Sequence, residues 1–233
     1  MPVSYSEIAG AIEAEGLLVR GAFHPGPNDQ VPPDAAGLPA ATLVLAGHAG
    51  PALWPAFKAS APDGPAPLDA WSRTVFGRLA ATLGGWPLHP FGGPPYLPFL
   101  RWAQRAEPVF GSPIGLLIHP VYGLWHGYRG ALAFADRIAV PTFDALPNPC
   151  EGCIDKPCLS TCPVGAFTPG AYDVPACIAH LATQEGADCM EQGCRARRAC
   201  PVGHDFIYGP EQARHHMQAF RARTAARLKD ERR

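Results

Sequence analysis

Apolar and polar positions alternate along the first 149 residues with the spacings of both helices and strands. Ser4 to Glu15 has helical spacing, with Ile8, Ala11 and Ile12 on one face, Ser4 or Ser6 as N-cap and Gly16 as the stop. Leu17 to Phe23 and Ala41 to Leu45 read as strands, the second a short apolar run of the kind buried in a sheet. The Pro/Gly/Asp-rich stretch 25–39 between them reads as a loop. Pro67 to Leu83 is the clearest helix, because Leu68, Trp71, Val75, Leu79 and Leu83 recur at steps of three and four and Gly84-Gly85 ends it. A short helix is predicted over Pro98 to Ala106, and strands over Ile114 to Ile118 and Ala131 to Phe134.

The chain has 233 residues, of which 47% are hydrophobic, with 28 Pro and 25 Gly. It is loop-rich, yet apolar enough to bury a core, which excludes wholesale disorder. No run of apolar residues is long enough for a spanning helix, and the first residues lack the basic and apolar regions of a secretory signal. A cytoplasmic, membrane-free protein is expected. The formal charge of −1 hides an asymmetry: seven basic residues (Arg214, Arg221, Arg223, Arg227, Lys229, Arg232, Arg233) follow Glu211. Such a tail either touches phosphates or forms a solvated helix face.

All eight cysteines fall between Cys150 and Cys200. A disulfide framework would need an oxidising compartment. A four-thiolate zinc site usually joins two short CxxC knuckles, whereas this chain has a single CxxC and places Cys150, Cys153, Cys158 and Cys162 close together. Such spacing suits a cubane cluster. In bacterial ferredoxins three closely spaced cysteines hold one cluster and the fourth, before a Pro, reaches the other. Applied here, that crossing rule assigns Cys150, Cys153, Cys158 and Cys200 to one [4Fe-4S] cluster, and Cys162, Cys177, Cys189 and Cys194 to a second. One cluster with a zinc, or zinc alone, is the alternative. Arg195, Arg197 and Arg198, between the last ligands, either raise a cluster's potential, receive a partner or form a solvated turn.

The cysteine-free part carries an unusual aromatic and cationic stretch, from Pro90 through Tyr96, Arg101, Trp102 and Arg105, and then His119-Pro-Val-Tyr122-Gly-Leu-Trp125-His126-Gly-Tyr128-Arg129-Gly130. Gly and Pro allow tight turns against a flat ligand, while Trp, Tyr, His and Arg offer stacking faces and anion contacts. Trp125 and Tyr122 equally suit a core, and His119 and His126 a structural role. Arg129, before Gly130 in an apolar strand start, needs an anionic partner if buried.

Tyr96 to Leu132, above all Phe99-Leu-Arg101-Trp-Ala-Gln-Arg105 and the run from His119 to Gly130, resembles the cobalamin-processing decyanase and dealkylase family. That family carries a comparable His-Pro-x-(Phe/Tyr)-Gly-x-Trp-x-x-x-Arg-Gly run. The resemblance implies an α+β sandwich like that of flavin nitroreductases, with Arg129 in a thiol-substrate pocket. Cys150 to Pro201, including Cys177-Ile-Ala-His180-Leu181, is similar to the dicluster ferredoxin part of epoxyqueuosine reductases and reductive dehalogenases, which set two cubanes beside a cobalamin. Two features depart from epoxyqueuosine reductases: a single basic helix stands where those enzymes have a helical domain that grips tRNA, and no counterpart of their catalytic acid motif precedes the aromatic segment.

The expectation is therefore an α+β chain: a nitroreductase-like sandwich over 1–146, a dicluster ferredoxin-like module over 147–209 and a basic C-terminal helix over 210–233. Two [4Fe-4S] clusters would deliver electrons, received from a donor protein, to a cobalamin or a small substrate held by Tyr96, Arg101, His119, Tyr122, Trp125 and Arg129. A flavin is the second choice of organic cofactor, and nucleic acid is not expected as a partner. The alternatives are an electron-transfer ferredoxin that docks a partner enzyme without an organic cofactor of its own, and an epoxyqueuosine-reductase-like enzyme that modifies RNA.

Overall fold

A computed structural model describes residues 3–230; Arg232 and Arg233 of the basic tail lie outside them. The elements in chain order are α1 (Tyr5–Ala14), β1 (Leu18–Phe23), β2 (Thr42–Ala49), α2 (Leu53–Ala59), α3 (Pro67–Leu83), β3 (Trp86–Leu88), α4 (Phe99–Ala106), β4 (Phe110–Gly111), β5 (Leu117–Ile118) and β6 (His126–Phe134). There follow α5 (Pro157–Ser160), β7 (Phe167–Thr168), β8 (Ala171–Tyr172), α6 (Val174–His180), α7 (Ala187–Gln192), α8 (Arg195–Arg198) and α9 (Pro210–Asp230). The chain divides into two compact units, 1–109 with 126–146, and 110–125 with 147–233. Phe110 to Trp125, assigned from sequence to the first domain, thus groups with the cysteines. Among the described residues no helix is long and apolar enough to cross a membrane.

The first unit is built on an antiparallel sheet of order β1-β2-β6-β3. Every residue of β2 is buried, so both faces of this central strand are covered. Val44, Ala46, Leu132 and Phe134 pack with Ile8 and Ile12 of α1, Leu53 and Phe57 of α2, and Trp71, Val75, Phe76 and Leu79 of α3. The helical spacing of those residues is what turns one stripe of each helix to the sheet. α4 lies against β1 and β2, with Phe99, Trp102, Ala103 and Ala106 buried. At Gly21 a Cβ would stand 2.0 Å from the carbonyl oxygen of Ala106, and φ is +80° there, so only glycine fits this approach of strand to helix.

Two β-bulges interrupt the sheet. Between β1 and β2 the register skips Arg20 and Gly21, and between β6 and β2 it skips Arg129. A bulge leaves a residue unpaired and re-aims its side chain. Each bulge here carries an arginine, and each arginine meets a buried carboxylate: Arg20 binds Glu107 (2.8 Å) and Arg129 binds Asp69 (2.6 Å). The strand β6 begins at His126, five residues earlier than the apolar run indicates, because His126, Gly127, Tyr128 and Gly130 pair with β2 although this stretch is polar. The predicted strand over Ile114 to Ile118 is instead a tight β4–β5 hairpin, turned by Gly115 at φ +79° and closed by the amide of Gly115 donating to Ser112.

The second unit is loop-rich, with short helices around an apolar cluster of Ile114, Ile118, Leu124, Cys158, Phe167, Ala196 and Cys200. The hairpin β7–β8 stacks Phe167 on Tyr172 at 4.4 Å. Arg197 ties the 110–125 segment down. It donates from Nε (3.0 Å) and from one terminal nitrogen (2.6 Å) to the Leu124 carbonyl, while its guanidinium lies over the rings of Trp125 and Tyr208.

Candidate metal centre

The eight cysteines collect into two cavities. Cys150, Cys153, Cys158 and Cys200 line the first; the rest of its wall is Ser112, Pro113, Ile118, Leu124, Pro149, Lys156, Pro157, Pro201 and Val202. Cys162, Cys177, Cys189 and Cys194 line the second, with Val164, Phe167, His180, Leu181, Arg195, Ala196 and Met217 among its other neighbours. The grouping is the one the crossing rule expects.

Local sequence sets each thiol. The amide of Cys150 is held by the Asn148 side chain at 3.0 Å. Lys156 takes the left-handed conformation, φ +40°, just before α5, whose first turn opens on Pro157 and carries Cys158. Cys162 follows α5, and its sulfur accepts the amide of Ala166 at 3.3 Å. Cys177 lies on α6, which Asp173 caps by accepting the amide of Ala176. Cys189 lies on α7, Cys194 caps α8 and Cys200 follows it.

Electrostatics separates the same two sets. Burial pushes the Cys150 thiol above the ordinary range, with Cys200, Cys158 and Cys153 adding to the rise. Burial does the same to Cys158, reinforced by Cys200 and Cys153, and to Cys200, reinforced by Cys153. In the other set, burial raises Cys177, with Cys162 and Cys189 as thiol neighbours, and Cys194, with Cys189 and Cys177. No thiol of one set bears on a thiol of the other in these shifts. A buried thiol whose ionisation is disfavoured becomes a thiolate when it ligates a cationic metal centre.

Four facts test the fit of an iron–sulfur cluster. Each set holds four soft donors, the number a cubane takes. Among the described residues no group of three His, Cys, Asp or Glu side chains is arranged to hold a single metal ion. The walls are largely apolar. Each cavity also has a buried polar side-chain atom without a hydrogen-bond partner among the described residues, Ser112 Oγ in the first and His180 Nε2 in the second. An orphaned buried donor is costly and calls for an acceptor.

The six residues expected around an organic cofactor are distributed differently. Tyr96, Arg101 and Arg129 belong to the first unit, His119, Tyr122 and Trp125 to the second, and none lines either cysteine cavity. Tyr96 is 63% exposed. Arg101 is exposed on α4 and reaches the Gln30 side chain. Arg129 donates to Ser72 Oγ, the Leu68 carbonyl and Asp69; its anionic partner is a side chain of α3. His119 Nδ1 accepts the amides of Val121 (3.0 Å) and Tyr122 (3.3 Å), and its ring stacks on Tyr122. Trp125 is core, packed with Tyr208 and Ala213.

Sequence reasoning missed the other polar cluster of the first unit. Arg20, 1% exposed, binds Glu107, the His48 carbonyl and His126 Nδ1, and the Tyr128 hydroxyl donates to Glu107. Burial pushes the Glu107 carboxyl up, and Arg20 and Tyr128 pull it back. The signal was available in part, since Arg20 interrupts an otherwise apolar strand.

No protein-family model and no curated protein matches the chain. Among solved structures it is similar to an epoxyqueuosine reductase crystallised with an epoxyqueuosine-modified tRNA stem loop, with a TM-score of 0.54 and 16% identity over 89% of this chain and 69% of that one. A selenomethionine-labelled epoxyqueuosine reductase gives 0.53 and 15% over 89% and 68%. The epoxyqueuosine reductase of Streptococcus thermophilus gives 0.52 and 15% over 89% and 69%. A likeness over 89% of the chain reaches beyond the cysteine-bearing half and takes in much of the part that resembled cobalamin-processing proteins in sequence. It also corrects the expectation about nucleic acid: a protein of this fold was solved with a tRNA stem loop, so RNA returns to the possible partners. The chain has the mixed α/β fold of the epoxyqueuosine reductases, and its eight cysteines are compatible with iron–sulfur binding.

Proposed function

We propose that this protein is a two-cluster iron–sulfur reductase that acts on a modified nucleoside in RNA, in the manner of the epoxyqueuosine reductases whose fold it shares. The observation that carries the reading is the pair of cavities, each walled by four thiols and each with one unsatisfied polar atom. Cys150, Cys153, Cys158 and Cys200 would hold one [4Fe-4S] cluster, and Cys162, Cys177, Cys189 and Cys194 the other. When bound, such clusters supply one-electron transfer at potentials set by their hydrogen bonds and exposure.

The chain's own residues do the rest. Apolar walls from Ile118, Leu124, Phe167 and Leu181 keep water from the cavities. Backbone amides, such as that of Ala166 on Cys162, hold the sulfurs in place and stabilise added negative charge. The exposed Arg214, Arg221 and Lys229 on α9 offer cations to a phosphate backbone. The reading as a cobalamin-processing protein ranks below this one, because Arg129, expected from that resemblance in a thiol-substrate pocket, already has Asp69 as counter-ion.

A second reading, an electron-transfer protein that docks a partner enzyme, is favoured by Ile154, which stands 92% exposed in the loop between Cys153 and Cys158. The test begins with anaerobic purification and assay of iron and sulfide, where about eight of each per chain are expected. The reduced protein is then mixed with a tRNA stem loop containing epoxyqueuosine, and loss of one oxygen from the nucleoside is sought by mass spectrometry. Turnover establishes the first reading; full clusters with no turnover and no RNA binding favour the second; absence of iron ends both.

A further inference from the structure

We propose that His180 is a positioning residue for the second cluster: its Nε2–H donates a hydrogen bond to a sulfur of the group held by Cys162, Cys177, Cys189 and Cys194, and so raises that cluster's reduction potential. The inference rests on the reading of the cavities as cluster sites and adds to it a residue that is not a ligand.

Four observations lead there. First, helix α6 places Cys177 and His180 three residues apart, on one face, so the imidazole accompanies the thiol into the same cavity. Second, the backbone at His180 is pinned. Thr183 Oγ1 donates to its carbonyl at 2.9 Å, and Gly186 passes so close that a Cβ there would stand 2.2 Å from that oxygen. Third, Nε2 is buried and has no hydrogen-bond partner among the described residues. Fourth, the lining supplies no oxygen side chain to accept from it. Apart from the thiols, the wall is Pro163, Val164, Phe167, Leu181, Ala196 and Met217 with one cation, Arg195, which is bound to Asp188. In such a space the acceptors left for an imidazole N–H are sulfurs, above all those of a cluster bound there.

A second side-chain donor reaches this set of thiols from outside the lining: the Tyr172 hydroxyl bonds Cys177. Stacking on Phe167 fixes the Tyr172 ring. Hydrogen bonds to cluster sulfurs stabilise the more negative, reduced state and therefore raise the potential. Gaining an electron makes the sulfurs better acceptors, so the His180 bond strengthens on reduction and favours it. The first cavity has a different donor, the hydroxyl of Ser112, which gives an internal comparison.

The test uses the full chain with its clusters, in redox titrations followed by electron paramagnetic resonance. His180→Leu is expected to lower one midpoint potential and leave the other in place; His180→Gln, which keeps an N–H donor, is expected to restore much of the difference. Ser112→Ala is expected to move only the other cluster. Protein labelled with ¹⁵N-histidine is examined in parallel by electron–nuclear double resonance, and one reduced cluster is expected to couple to a histidine nitrogen that His180→Gln removes. That measurement on the unaltered sequence stands even if His180→Leu fails to assemble. Two full clusters with unchanged potentials in His180→Leu, or with no histidine coupling, overturn this inference and leave the cluster reading standing. A protein without iron and sulfide overturns both.

Discussion

Arg129, bulged out of β6 between Tyr128 and Gly130, places a guanidinium nitrogen 2.6 Å from Oδ1 of Asp69 on α3. The pair is largely buried, with each side chain 12% exposed. Removing one partner strands the other charge, which typically costs about 3–5 kcal/mol. Arg129→Met should therefore lower the denaturation midpoint of the protein sharply, and Asp69→Asn added to it should recover part of the loss. Neither change should alter the iron content. A loss of iron in Arg129→Met at temperatures where the protein stays folded would assign the residue a role beyond the pair.

Removal of single cysteines tests the partition. Cys200→Ser is expected to remove about half of the iron, together with the signal that Cys150→Ser removes, although Cys194 is its nearer neighbour in sequence. Cys194→Ser should remove the other half. Iron analysis and resonance spectra of the three variants decide it, and a shared loss in Cys194→Ser and Cys200→Ser would overturn the assignment.

Gly123 is tested by adding a methyl group. Its φ is +56°, and a Cβ would stand 1.9 Å from the Val202 carbonyl oxygen, where the backbone after Cys200-Pro201 presses against the 110–125 segment. Gly123→Ala should cost more than the ~1 kcal/mol of an unfavourable φ, because backbone has to move as well. Slower cluster assembly and faster iron release to a chelator, measured by absorbance, are the expected results.

Asp29 gives a pH dependence. Burial alone would raise its carboxyl, but the hydrogen bond from Arg105 and the amide of Gly26 outweigh it and hold the group below the ordinary aspartate value of 3.8. A carboxyl depressed in the folded state contributes stability that is present above 3.8 and lost as the pH falls below it. Asp29→Asn should thus flatten the acid limb of a stability–pH curve and leave its neutral shape unchanged, which denaturant midpoints across that range can check.

Three cations on α9 are open to a polyanion. If RNA lies along them, changing Arg214, Arg221 and Lys229 together to Gln should weaken tRNA binding and lower the slope of log affinity against log salt by about 2 to 3. An unchanged slope would place the RNA elsewhere.

Helix α3 was legible because its apolar residues recur at three- and four-residue steps and burial follows that stripe. Helix α2 was not: it has seven residues and a proline inside, Pro55, and too short a span to show a period. The first half of β6 was hidden by His126, Tyr128 and Arg129, whose polarity is satisfied by partners 106, 21 and 60 residues away in sequence, Arg20, Glu107 and Asp69. Local pattern contains no information on such partners, which is why an arginine with an internal counter-ion read as one waiting for a ligand. The cysteines were easier, since Cys-Pro turns and short spacings constrain which thiols can meet. The membership of Phe110 to Trp125 was the least readable feature, because it depends on contacts such as Arg197 to Leu124 that span 73 residues.

That membership makes the cysteine unit discontinuous along the chain. Residues 110–125 leave the first unit, supply Ile118 and Leu124 to the wall of the first cavity, and the chain then returns for β6 before Pro147 begins the remainder. A break at residue 146 would give two fragments, neither of which is whole: one would carry an orphaned hairpin, and the other would lack a wall of its cavity. The ferredoxin-like part is thus no cassette to be cut out or grafted by its cysteine boundaries, and a gene encoding 147–233 alone should yield a polypeptide that binds iron poorly. During synthesis the hairpin emerges well before Cys150, so it has to wait, unpartnered, until the thiols it shelters have followed it from the ribosome.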